Sequence, residues 1–138
     1  GWRSAPQADA GAFPLRSLTC CAMRQIIYHV CPEQEWAARG PSGNYRGSDD
    51  DLRDGFIHFS TSTQVRESVA KHRAGQDGLV ILAVEAEALG AALRWEASRG
   101  GQLFPHLYGI LPPYAVRWVK PLPLTPEGHD FPPLEDLP

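Results

Sequence analysis

From Gln25 to Leu122 the apolar positions fall in short bursts, and their spacing predicts several short strands interrupted by two main helices. QIIYHV, Gln25 to Val30, is β-branched and aromatic and too short for a stable helix, so it reads as a strand. A helix follows: Pro32 suits a first helical position, Glu33 and Glu35 suit the positive end of the dipole, and Gly40-Pro41 stops it, with Trp36 as its core anchor. Ser42 to Gly55 is polar and glycine-rich and reads as a mobile loop over a cleft, although Ser48 and Asp51 have the spacing to cap a single turn. GFIHFS, Gly55 to Ser60, puts Phe56, His58 and Ser60 on one strand face and Ile57 and Phe59 on the other. Thr61 and Gln64 then make a capping-box pattern, and Val65, Val69 and His72 recur at helical spacing toward Gly75. GLVILAVE, Gly78 to Glu85, is a continuous apolar run suited to a central strand covered on both faces. A helical turn around Ala88 to Ala91, a strand around Ala92 to Ala97, FPHLYGIL and AVRWVKPL complete the pattern. This order reads as α+β with a largely antiparallel sheet, and its spacing does not suit a doubly wound fold.

Composition narrows the setting. A chain of 138 residues holds one domain, and 43% apolar residues are enough for a real core. A formal net charge of −3 supplies no global positive field, so nucleic acid is not the default partner. Cys20, Cys21 and Cys31 imply no disulfide framework, and no apolar run approaches the length of a membrane span. The plain reading is a soluble protein in a reducing, cytoplasmic setting. Residues 1–22 lack a helical or strand period and read as an extension outside the domain, which is expected to run from Met23 to residue 124. The segment 125–138 is proline-rich and acidic, and is expected to be extended and mostly at the surface.

The chain has no GxxxxGK, GxGxxG, GxSxG, HExxH or CxxC motif. Asp49, Asp50 and Asp51 lack the alternating ligands and terminal glutamate of a calcium loop and read as a solvated acidic turn. What remains is a set of polar groups inside apolar strands: His29, His58 with Ser60 and Thr61, Glu96, and His106 with Tyr108. Burying such groups costs free energy unless hydrogen bonds offset it. Any one histidine is accounted for by a bond to a neighbouring carbonyl, Ser60 and Thr61 by helix capping, and Glu96 by its arginine neighbours Arg94 and Arg99. Three histidines on three strands, each beside aromatics, favour a shared site. A three-histidine metal centre is one alternative, and a non-catalytic small-molecule binding module another.

IYHV with its tryptophan helix, GFIHFSTSTQV, the strand ending in a glutamate, and FPHLYG resemble the family known as domain of unknown function 952, from about Arg24 to Leu122. That family is grouped with the ADP-ribosyltransferase superfamily. The resemblance implies two small, mostly antiparallel sheets forming a cleft that binds NAD or a related nucleotide, with ADP-ribosyl transfer as the activity. It also implies that His29 and His58 orient the ligand and that Phe59 or Tyr108 stacks on the nicotinamide. Ser60 and Thr61 contact amide or phosphate, Glu96 stabilises charge on the ribose, and His106 serves as acid, base or diphosphate contact. The chain carries no ExE or QxE pattern at Glu96, and loss of that glutamate's role would leave binding without transfer.

Overall fold

The computed structural model describes residues 25–97 and 101–134, so the expected extension at 1–22 and the start at Met23 lie outside the described residues. The architecture is α+β, with small antiparallel sheets and short helices. In chain order the elements are β1 (Ile26–Pro32), α1 (Glu33–Ala37), α2 (Asp49–Asp54), β2 (Ile57–His58), α3 (Val65–His72) and β3 (Leu79–Glu85). A 3-10 segment (Ala86–Ala92), β4 (Leu93–Ala97), β5 (Leu103–Leu107), a 3-10 turn (Pro113–Ala115), β6 (Val116–Leu122), β7 (Leu124–Thr125) and β8 (Gly128–His129) follow.

The first sheet has the order β1-β3-β6 and the second β2-β5-β4, both antiparallel. Residues 79–85 do form the central strand, and the reason is legible in the core. Val80, Leu82 and Val84 point toward the second sheet with Ile27, Ile57, Phe59 and Leu107. Leu79, Ile81 and Ala83 point the other way, onto Val65 and Val69 of α3. A strand buried on both faces needs apolar residues at successive positions, not alternate ones.

The two sheets are stitched where FIHFS changes partner. Ile57 and His58 pair with β5, but Ser60 exchanges both backbone hydrogen bonds with Tyr28 of β1, at 2.8 Å each. The strand is therefore two residues long instead of six, because its far end leaves β5 to cover the free edge of β1. Near this divergence, residues of both sheets line a cavity together with α2 and α3.

Several expectations need correction. The segment 42–55 is not simply a mobile loop: Tyr45 pairs with Leu111, and Ser48 and Asp51 close a full capping box that starts α2. Pro32 caps α1 from outside instead of opening it, and Trp36 is only half-buried against Tyr45. At α3 only half of the capping box forms, the Gln64 side chain accepting from the Thr61 N–H, while the Thr61 hydroxyl bonds Thr63. The C-terminal segment folds back as the β7–β8 hairpin, and Phe131 and Leu134 pack on the core beside α3. Among the described residues no helix is long and apolar enough to cross a membrane.

Candidate functional site

Period two along β1 places His29 between Ile27 and Cys31, on the face turned toward the second sheet, where it is 3% exposed. Its Nδ1–H donates to the His58 carbonyl at 2.6 Å, which leaves Nε2 to accept from the Tyr45 hydroxyl at 2.9 Å. Burial lowers the His29 pKa, opposed by nearby Asp51, so the ring is neutral. The same Tyr45 hydroxyl meets the Cys31 thiol, whose pKa burial pushes up to about 11, which makes that cysteine inert at neutral pH.

Asp51 is the group the acidic-turn reading missed. It is 3% exposed, and the capping box turns its carboxylate inward. Oδ2 accepts from the Ser48 N–H at 2.7 Å and the Ser48 hydroxyl at 3.0 Å. Oδ1 accepts from the His58 N–H at 3.1 Å and from His58 Nδ1–H at 2.5 Å. Burial alone would raise the Asp51 pKa, but the His58 ring, His29 and the two backbone donors outweigh it and hold the carboxyl well below the usual range. The anion in turn fixes the orientation of the His58 ring, whose Nε2 meets Asp54 Oδ2 at 3.1 Å.

His58 and His106 are direct cross-strand partners, and their ring centroids are 5.5 Å apart. His106 repeats the arrangement of His58: its Nδ1–H donates to Glu96 Oε1 at 2.8 Å, and that oxygen also accepts from the Tyr108 hydroxyl at 2.8 Å. Those two hydrogen bonds, His106 first, lower the Glu96 pKa. Phe56 stacks on His106 at 4.2 Å and packs against His58 and Tyr108. One sheet face therefore carries two imidazoles, each oriented by a carboxylate through Nδ1.

These groups border a cavity of about 340 Å³ bounded by β1, α2, α3 and β5. Of the residues singled out by sequence, His29, His58, Phe59, Ser60 and His106 line it. Thr61, Glu96 and Tyr108 do not; Glu96 and Tyr108 reach it only through His106. His29 lines the wall with both nitrogens already engaged, by the His58 carbonyl and the Tyr45 hydroxyl. Among the described residues no group of three or more His, Cys, Asp or Glu side chains is arranged to hold a metal ion, so the three histidines do not assemble a metal centre. The cavity also recruits Asp51, Asp54, Arg53 and Arg73, none of which the strand pattern marked.

A family model described as Protein of unknown function (DUF952) matches residues 30–119, about two-thirds of the chain. The chain belongs to this family. Its matched span begins within β1 and ends within β6, so it contains the whole second sheet, part of the first, and every residue of the two imidazole–carboxylate pairs. Among solved structures, the crystal structure of protein CC0527 from Caulobacter crescentus is 48% identical, with a TM-score of 0.71 over 75% of this chain and 91% of that one. Its solution NMR structure gives 48% identity and a TM-score of 0.66, over 75% of this chain and 90% of that one. No curated protein matches the chain.

Proposed function

We propose that the cavity binds one end of NAD or a related nucleotide and that the protein transfers the ADP-ribosyl group, with His58 and His106 at the reacting sugar. The observation that carries this reading is the pair of carboxylate-oriented imidazoles 5.5 Å apart on one cavity wall. An imidazole held through Nδ1 directs Nε2 toward a ligand hydroxyl, which suits both ribose binding and proton transfer; at His58 the hydroxyl takes the place of Asp54, which meets Nε2 in the free protein. Cleavage of the nicotinamide bond develops positive charge on the ribose; the leaving ring takes the bonding pair, and an acceptor attacks the same carbon and loses its proton to a base. His58, held by Asp51 and released from Asp54 when the ligand binds, is the base in this scheme. The negative group facing the developing charge is Asp51 with Asp54, while Glu96 acts by positioning His106. Phe56 and Tyr108 supply aromatic surface beside the rings. At about 340 Å³ the cavity is near the lower end of the roughly 300–1,000 Å³ range of ligand sites, which suits half a dinucleotide.

A non-catalytic binding module is the second reading, favoured by the commitment of Glu96 to His106 and Tyr108 away from the cavity wall. Calorimetry with NAD, combined with chromatographic detection of nicotinamide, separates the two. Transfer predicts binding, nicotinamide release with an acceptor present, and loss of release by a factor of about 100 or more in His58→Ala. Binding without release in the wild type leaves the module, and no heat of binding removes both readings.

A further inference from the structure

Arg73, just beyond α3, lines the cavity with only 16% of its side chain exposed. A guanidinium carries five N–H donors and is always charged. Among the described residues its side chain has one hydrogen bond, to Gln76 Oε1 at 3.2 Å, and a loose approach to Asp50 Oδ2 at 3.7 Å, longer than a hydrogen bond. Asp50 is itself half-exposed and already holds Arg53 at 2.8 Å. Arg73 is thus a largely buried cation with most of its donors unspent, on the wall of the cavity. Two hydroxyls share that wall: Ser60, nearly buried, and Ser68 of α3, which it meets at 3.3 Å. A fork of N–H donors in a cavity that also carries two hydroxyls suits a tetrahedral, multiply charged oxyanion, because such a group accepts from several directions at once.

We propose that Arg73, with Ser60 and Ser68, forms a phosphate subsite, so that the cavity takes a nucleoside 5′-phosphate with the phosphate at α3 and the sugar at His58 and His106. The sugar end of this assignment rests on the nucleotide reading above; the anion subsite stands on Arg73 alone. Asp50 competes with the anion for the guanidinium, so its charge should weaken phosphate binding.

The test is calorimetric titration of the wild type, Arg73→Gln, Arg73→Lys and Asp50→Asn with nicotinamide mononucleotide, nicotinamide riboside and inorganic pyrophosphate. Wild type is expected to bind the mononucleotide about tenfold or more tighter than the riboside, the range for hydrogen bonds to a charged group. Arg73→Gln should erase that difference without changing riboside affinity, Arg73→Lys should retain part of it, and Asp50→Asn should tighten mononucleotide binding. An undiminished preference in Arg73→Gln, or equal losses for both ligands, overturns the proposal. If neither nucleoside ligand binds the wild type, pyrophosphate decides. Pyrophosphate binding that Arg73→Gln abolishes keeps the subsite and discards the nucleotide reading; absence of pyrophosphate binding discards both. Should Arg73→Gln not fold, Asp50→Asn and Arg73→Lys replace it: opposite shifts in phosphate affinity support the subsite, and unchanged affinity in both overturns it.

Discussion

At Asp51 one carboxylate gathers two donors from Ser48 and two from His58, and the residue's burial makes each of them matter. The consequence is a pH dependence of stability with two limbs. His29 has a folded pKa below its unfolded value near 6.5, so the unfolded chain takes up a proton that the buried ring refuses; its contribution is complete above about pH 6.5 and is lost as pH falls. Asp51, depressed below its unfolded value near 4, contributes fully above that pH and loses its contribution as pH falls further. Urea melts from pH 8 to pH 3 are therefore expected to show a decline beginning near pH 6.5 and steepening below about 4, by at most about 1.4 kcal/mol per pH unit for each proton. Asp51→Asn should flatten the acid limb while lowering stability at neutral pH by about 2–4 kcal/mol, since one carboxylate oxygen becomes a donor facing donors. Retention of the steep acid limb in Asp51→Asn would contradict the assignment. His29 and His58 stand out in the sequence because they interrupt apolar strands. Asp51 does not, since among three adjacent aspartates nothing but the box with Ser48 distinguishes the buried one.

Helix α2 is six residues long, so its placement depends on how the chain enters it. Gly47 makes that entry at φ +108°, and a Cβ there would sit 2.7 Å from Asp51 Cβ and 3.2 Å from Ile57 Cγ1. Gly40 has a comparable φ of +90° but open space around it. Both substitutions by alanine meet the left-handed penalty, about 1–2 kcal/mol. Only Gly47→Ala also forces α2 away from β2, so it should cost clearly more in chemical denaturation and should reduce ligand affinity at the His58 wall. Equal costs at the two positions would show that α2 shifts freely. At this scale β1, β3 and β6 are legible from composition, while β4 and β5 form strands whose burial follows no period of two, with Trp95 exposed and Phe104 to Leu107 buried in succession. The shortness of β2 is not, because Gly55 to Ser60 has strand character throughout and only the competition between β5 and β1 for its backbone decides where pairing changes.

Across the whole molecule, the face of the first sheet opposite the second sheet is closed by α3 together with the segment after β6, where Phe131 and Leu134 pack against the cluster that includes Val65, Val69 and Leu122. Arg66 of α3 also lies over the Phe131 ring at 5.2 Å. Because Phe131 itself does not line the cavity, Phe131→Ala is expected to lower stability by about 1–2 kcal/mol, as for a half-buried aromatic. It should leave nucleotide affinity within about twofold, measured by denaturant melts and calorimetry on the same preparation. A tenfold loss of affinity would make the C-terminal segment part of the site. Proline content and acidity mark this segment as surface-bound, yet two apolar residues are enough to fold it back once α3 and β3 offer them a groove.

The sequence by itself determined the α+β class, the doubly buried central strand, the neighbouring side chains of Phe56 and His58, and the histidines as the polar groups needing partners. These follow from local periodicity and from the cost of burying a polar side chain, both of which act along a few residues of chain. Only the tertiary structure decided that His58 and His106 are cross-strand neighbours, that Glu96 bonds His106, that Tyr45 holds His29, and that Asp51 and Arg73 line the cavity. Those relations join residues far apart along the chain, His58 and His106 by 48 positions and His29 and Asp51 by 22, through sheet register and the divergence at Ser60. Register is set by how two complete faces bury together, which no single segment encodes.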